Sequence, residues 1–313
     1  MIDFRSLINR YGLILAMVMG VLGYRWFRHL GWMTSPLIFL MLFCTFCKID
    51  PLSLRFHRWH FVVLGVQLGL ASAAYGLLSI LHCPESIIQS LILCIIMPTA
   101  TAAPIIAGKL GGSIQQLTTF TLLSNFLTAL IVPTLFPLLN PSIEIGFWFA
   151  AKAIVCRVAP LLIGPFALAW IVRILISRLT TSSSHSLVTS LASSSFYLWI
   201  LLLVVLMARI THTLLTWDYS SNTIFILCVG GLVCCVLQFI LGWWIGRRFP
   251  VSNKLESRVT AGQAFGQKNT ALGIWMAQMF LHPLAALAPA AYIIWQNLLN
   301  SYQLWKAGKE KSV

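Results

Sequence analysis

The segment GQAFGQKNTALG, Gly262 to Gly273, places Gln263, Gln267, Lys268 and Asn269 within seven positions of one another. Amides and an ammonium packed this densely offer N–H donors to an anion and carbonyl oxygens to a cation. They supply neither a nucleophile with its base nor a proton-transfer pair. The seven carboxylates of the chain are Asp3, Asp50, Glu85, Glu144, Asp218, Glu256 and Glu310, all in loops, at termini or at helix ends. Lys268 therefore has no acid at its depth in the apolar segment that contains it. An ionisable residue so placed is read as functional. Snorkelling to the interface is the bland alternative, but ten residues of helix separate Lys268 from Arg258, about 15 Å, which makes the reach marginal.

Other chemistry-bearing residues do not converge. The histidines, His29, His57, His60, His82, His185, His212 and His282, fall near the ends of apolar runs, and there is no H-E-x-x-H pattern. The eight cysteines lie almost all inside apolar runs, where they behave as small hydrophobes. Cys44 and Cys47 have C-x-x-C spacing without a second pair or a histidine partner. No enzyme constellation, cofactor or metal site is expected. An intramembrane enzyme is the weakest reading, behind a carrier and behind a channel or non-transporting sensor.

The elements that must position Lys268 follow from composition. The chain has 313 residues, 59% hydrophobic and 9% charged, more apolar surface than one soluble core of that length can hide. Its partner is the lipid bilayer. Ten apolar runs are long enough to cross about 30 Å of hydrocarbon, at 12–27, 33–49, 60–82, 86–108, 114–138, 147–172, 188–210, 222–246, 258–281 and 283–305. The Ser-rich TTSSSHS, 180–186, reads as the loop between the sixth and seventh. The net charge of +14 forms no continuous basic surface of the kind nucleic acid needs. With the amino terminus inside, fifteen of the 21 Lys and Arg collect on the cytoplasmic side, and only Arg25, Arg28 and Arg209 fall outside. The other three, Lys152, Arg157 and Lys268, lie within spans. That bias implies a multi-pass protein of the inner (plasma) membrane with both termini cytoplasmic.

Two spans are broken. In the fourth, SLILCIIMPTATAAPIIAGKLGGS, Pro98 and Pro104 bracket five residues, and one regular helix cannot absorb both prolines. The ninth carries Gly262, Gly266 and Gly273 around its amides. Each break precedes a span with polar residues: Ser124, Asn125 and Thr128 in the fifth, and Gln296, Asn297, Asn300 and Ser301 in the tenth. Matched interruptions five spans apart are the signature of an inverted-repeat transporter with its site at the breaks. The fold expected is an all-α membrane protein of ten transmembrane helices in two inverted five-helix repeats. Residues 1–140 form the first repeat, and residues 141–313, with a short cytoplasmic tail, form the second.

On these segments the chain resembles the bile acid:sodium symporter family. QAFGQKNTALG is similar to the family's ninth-helix motif, MPTATAAPIIAGKLGG to its fourth-helix crossover, AAYIIWQNLLNSY to its tenth helix and VVLGVQLGLASAAYGLL to its third. The resemblance implies a panel of spans one, two, six and seven and a core of the other six in which the broken helices cross. It implies alternating access for a small organic anion, bile acid-like, carboxylate or sulfonate, commonly coupled to sodium. Thr101, Pro104, Lys268, Asn269 and Asn297 are then the candidate substrate-binding residues, and Gln67, Thr121, Gln263 and Gln267 stand at cation-site positions. The departures concern the cation. Gln263 replaces the motif's carboxylate, Lys268 its Asn, Ala103-Pro104 a Ser-Asn pair and Leu117 a hydroxyl, while Thr121 retains one. The expectation is that the Lys268 ammonium takes the place and role of the coupling ion.

Overall fold

The computed structural model describes residues 4–47, 54–139, 147–179, 183–216 and 219–310. Asp3, Lys48, Asp50, Glu144 and Asp218 lie outside the described residues. Thirteen α-helices follow one another among the described residues: α1 Phe4–Leu22, α2 Tyr24–Phe27, α3 Thr34–Phe46, α4 Arg58–Ile80, α5 Glu85–Ile96, α6 Ala103–Lys109, α7 Ile114–Leu139, α8 Phe147–Leu179, α9 Ser183–Thr216, α10 Ser221–Arg248, α11 Lys254–Gly266, α12 Thr270–Phe280 and α13 Leu287–Glu310. Six stretches are long and apolar enough to cross a membrane by length and composition: Tyr24–Phe46, Arg58–Ile80, Ile114–Leu139, Phe147–Leu175, Ser194–Thr216 and Ser221–Arg248. The chain is a multi-pass membrane protein.

The serine-rich segment departs from its expected loop. α9 already starts at Ser183, so four residues of the segment are helical, and only 180–182 lie outside the described residues. Serine is favoured at helix starts, where its hydroxyl competes well for the free N–H groups. The fourth and ninth spans are each two helices, α5 with α6 and α11 with α12.

Contacts divide the chain into two units that interleave along the sequence. One comprises Met1–Ile49 with Ala159–Ser220, the other Asp50–Val158 with Ser221–Val313. In the first, α1 and α3 pack on α9. Gly20 of α1 sits so near α9 that a Cβ there would meet the Val204 carbonyl at 2.6 Å.

In the second unit α10 lies along α11. Gly242 and Gly246, four apart on α10, let its backbone approach the Ala261 and Ser257 carbonyls, the close small-residue packing that membrane helices use where lipid gives no hydrophobic drive. Trp59, Val63, Leu117, Phe120, Ile245 and Phe265 are part of one buried cluster. It joins α4, α7, α10 and α11 beside the broken segments and fixes where those segments meet.

Candidate functional site: the crossing of two broken helices

α5 ends for a local reason. Met97 precedes Pro98 and adopts φ −49° and ψ 140°, because the proline ring disfavours a helical residue before it. The last carbonyls of a helix lack partners within it, and at this depth no water replaces them. In α5 each finds a donor from elsewhere. The Cys94 carbonyl accepts from Gln238 Nε2 at 3.2 Å, and the Ile96 carbonyl from Thr128 Oγ1 at 3.4 Å. The Ile95 and Met97 carbonyls each accept twice. Lys268 Nζ donates to both at 3.0 Å, and Gln67 Nε2 donates to them at 2.9 and 3.3 Å.

The second break supplies the lysine. α11 stops at Gly266, and α12 begins at Thr270 with Asn269 as its cap, the Asn269 side chain accepting from the Leu272 N–H at 3.2 Å. Between them the chain pairs with the first break as an isolated antiparallel bridge, Thr99 with Lys268. The Ala100 N–H donates to the Gln267 carbonyl and the Asn269 N–H to the Pro98 carbonyl, both at 2.8 Å. Flanking side chains complete the account. Thr99 Oγ1 donates to the Ala264 carbonyl at 2.7 Å and Tyr292 Oη to the Gly266 carbonyl at 2.8 Å. The Thr99 N–H reaches Ser124 Oγ and the Lys268 N–H reaches Gln296 Oε1, each at 3.0 Å.

Lys268 is 1% exposed. Its ammonium has backbone carbonyls as oxygen neighbours, the Phe265 ring face at 5.0 Å, and the Cys94 and Cys234 thiols within electrostatic reach. A cation at a helix C-terminus is favoured by the partial negative charge of those carbonyls, and a ring face adds attraction. Both described carboxylates whose side chains are placed, Glu85 and Glu256, sit in first turns, of α5 and α11. Among the described residues, the ammonium is therefore met by carbonyl dipoles and a ring face.

The sodium positions do not assemble around a cation. Gln67 spends its amide nitrogen on the carbonyls that Lys268 also holds. Thr121 Oγ1 donates to the Leu117 carbonyl of its own helix at 2.9 Å. Gln263 Nε2 turns to α13 and donates to Asn300 Oδ1 and Gln303 Oε1, both at 3.1 Å. Gln263 Oε1 and Gln267 Oε1 are buried without partners, and both are neutral ligands. The oxygens best placed for an ion already carry the ammonium, so these residues do not fit sodium at the crossing.

Of the candidate substrate residues, Lys268 and Asn269 lie at the crossing, and Asn269 Nδ2 is buried without a partner. Pro104 is buried in the first turn of α6, and Thr101 is half-buried in the turn before it. Asn297 bonds its own helix, Nδ2 to the Ile293 carbonyl at 2.7 Å. Arg157 and Lys152 are exposed on α8. The sequence reading missed Gln238, Tyr292 and Gln303. A lone amide inside the most apolar span was the available signal for Gln238.

A helical membrane chain whose broken segments cross by backbone pairing matches a family model over residues 13–299, that of the SBF-like CPA transporters. The chain belongs to the SBF-like CPA transporter family. The resemblance to bile acid:sodium symporters seen in the ninth-span motif is thus a family relation spanning nearly the whole chain. The comparison with curated proteins found no match. Among the described residues of this SBF-like chain, no group of three His, Cys, Asp or Glu could hold a metal ion.

Proposed function

We propose that this SBF-like protein is a sodium-independent secondary carrier of a small organic anion, bile acid-like, a carboxylate or a sulfonate. It works by alternating access on a ten-helix frame of two inverted repeats, 1–140 and 141–313. The observation that carries the reading is the Lys268 ammonium held by the Ile95 and Met97 carbonyls at 3.0 Å. A covalently tethered cation there does what a bound ion does for such a crossing: it neutralises the carbonyl ends of the broken helix and keeps positive charge at the breaks. Unlike an ion it cannot leave, so the gradient of that ion cannot drive transport.

Two further features support the reading. The two contact units contain, to within one divided helix, the spans that the resemblance groups as panel and core. Family membership makes a transporter the expected class, and neither a catalytic constellation nor a cofactor site is proposed. Asn269, at the head of α12, adds a buried unpartnered N–H donor beside the lysine, and the start of that helix favours negative charge.

Proteoliposomes loaded with candidate anions test the reading. A carrier gives saturable uptake and counterflow of the preloaded anion, unchanged when choline replaces sodium. Conductive flux without counterflow would make the protein a channel, and binding without flux a sensor.

A further inference from the structure

Beside the crossing, one cluster of buried polar side chains is left incomplete. Gln263 on α11 is fully buried and Asn300 on α13 is 3% exposed, while Gln303, one turn further along α13, is half-buried. Gln263 Nε2 donates to the carbonyl oxygens of both other amides at 3.1 Å. That arrangement turns the NH₂ groups of Asn300 and Gln303 away from the bond they share. Asn300 Nδ2, Gln303 Nε2 and Gln263 Oε1 are all buried without a partner. Buried polar groups in native structures are mostly paired, and three orphaned atoms here gather on side chains joined through Gln263. Such a cluster calls for an occupant.

The chemistry of the occupant follows from what is unpaired. In the amide orientation of this structure, two NH₂ groups and one carbonyl oxygen of the cluster lack partners. A group that accepts several hydrogen bonds and carries negative charge matches this, whereas a cation would meet the positive ends of both amides. Charge nearby agrees. Lys268 lies five residues beyond Gln263, and the described carboxylate on α11, Glu256, is in the first turn, engaged with Ser252 Oγ at 2.6 Å. Gln303 is the one half-buried residue of the three, and its Nε2 is buried together with the other two unpartnered atoms.

We propose that Gln263, Asn300 and Gln303 receive the anionic group, a carboxylate or sulfonate, of the transported solute. This rests on the anion-carrier reading and locates its binding site one helical turn from the crossing, at an amide set rather than at the lysine. Lys268 then holds the frame and supplies field, while the amides make the contacts.

Thermal unfolding of the purified full chain, in choline buffer at constant ionic strength, tests the site with acetate, methanesulfonate, glycocholate and taurocholate. At least one of these should stabilise the parent. Asn300→Leu and Gln303→Leu should each weaken that anion tenfold or more, yet melt close to the parent without anion, since each removes an orphaned donor along with one acceptor of Gln263 Nε2. Gln263→Glu should abolish the response because its carboxylate takes both donors. If an anion stabilises the parent and all three variants alike, the carrier reading stands and this site is wrong. If the leucine variants melt well below the parent without anion, the amides are structural and the proposal falls. If no anion stabilises the parent, the anion reading itself fails and takes this site with it.

Discussion

The crossing and the amide cluster share one broken span, that of α11 and α12, yet their polar groups are satisfied to different degrees. At the crossing the carbonyls of Cys94, Ile95, Ile96, Met97 and Pro98 all have donors, drawn from α4, α7, α10 and the second break. The unpartnered buried atoms are on side chains: Gln267 Oε1 and Asn269 Nδ2 at the crossing and, one turn away, one atom on each of the three amides. Both sets are buried in the same low-dielectric interior, where satisfied networks rigidify and unsatisfied ones are costly. On the proposed carrier reading, the difference separates a part that must hold in every state of the cycle from a part kept open for a transient partner. It also explains how a family built around a cation position can have a lysine there: the ammonium completes the permanent part.

The largest effect that would break this comparison comes from Lys268. Lys268→Met should cost about 2–4 kcal/mol, the worth of charge-assisted bonds to two buried carbonyls, read as a fall in melting temperature. Lys268→Asn leaves space beside the same carbonyls, and sodium should then raise its melting temperature relative to choline while leaving the parent unchanged. A Lys268→Met protein as stable as the parent would mean that the ammonium is not structural. Next is Gln67→Leu, which removes the second donor to both carbonyls and should cost about 1–2 kcal/mol, with anion affinity lowered only as far as the crossing loosens. Tyr292→Phe deletes one neutral bond, to the Gly266 carbonyl, and should cost about 1 kcal/mol, measurable by denaturant or thermal unfolding. The smallest effect sharpens the contrast from the other side. Gln303→Leu should change anion-free stability by less than about 1 kcal/mol, because the loss of an orphaned donor offsets the loss of the bond from Gln263 Nε2.

Much of the frame was legible because its causes are local. Pro98 and Pro104 announce the first break, and the glycines around Gln267 announce the second. Lys268 stood out because no acid shares its depth. What the lysine touches was not legible. Its acceptors are backbone carbonyls of Ile95 and Met97, 173 and 171 positions away, and a carbonyl has no residue type to betray it. The pairing of Thr99 with Lys268 is equally non-local. Which atom of an amide is used was not legible either: Gln67 and Gln263 present nitrogen, not oxygen, to their partners. Asn297, a substrate candidate by resemblance, bonds its own helix, while Asn300 and Gln303, further along α13, carry the free donors. Asn297 and Gln303 are both half-buried, so what separates them is which side chains meet Gln263 of α11, and that is not local in sequence.

The most direct test of the tethered cation is the melting temperature of the full-length protein with and without a stabilising organic anion, measured in matched sodium and choline buffers. A ligand stabilises the folded state according to its affinity and concentration, so a coupling ion reveals itself by changing the anion's effect. The account predicts the same anion-dependent shift in both buffers. A shift that appears only with sodium would show that an ion binds where the carbonyls are assigned to Lys268, and it would contradict the account.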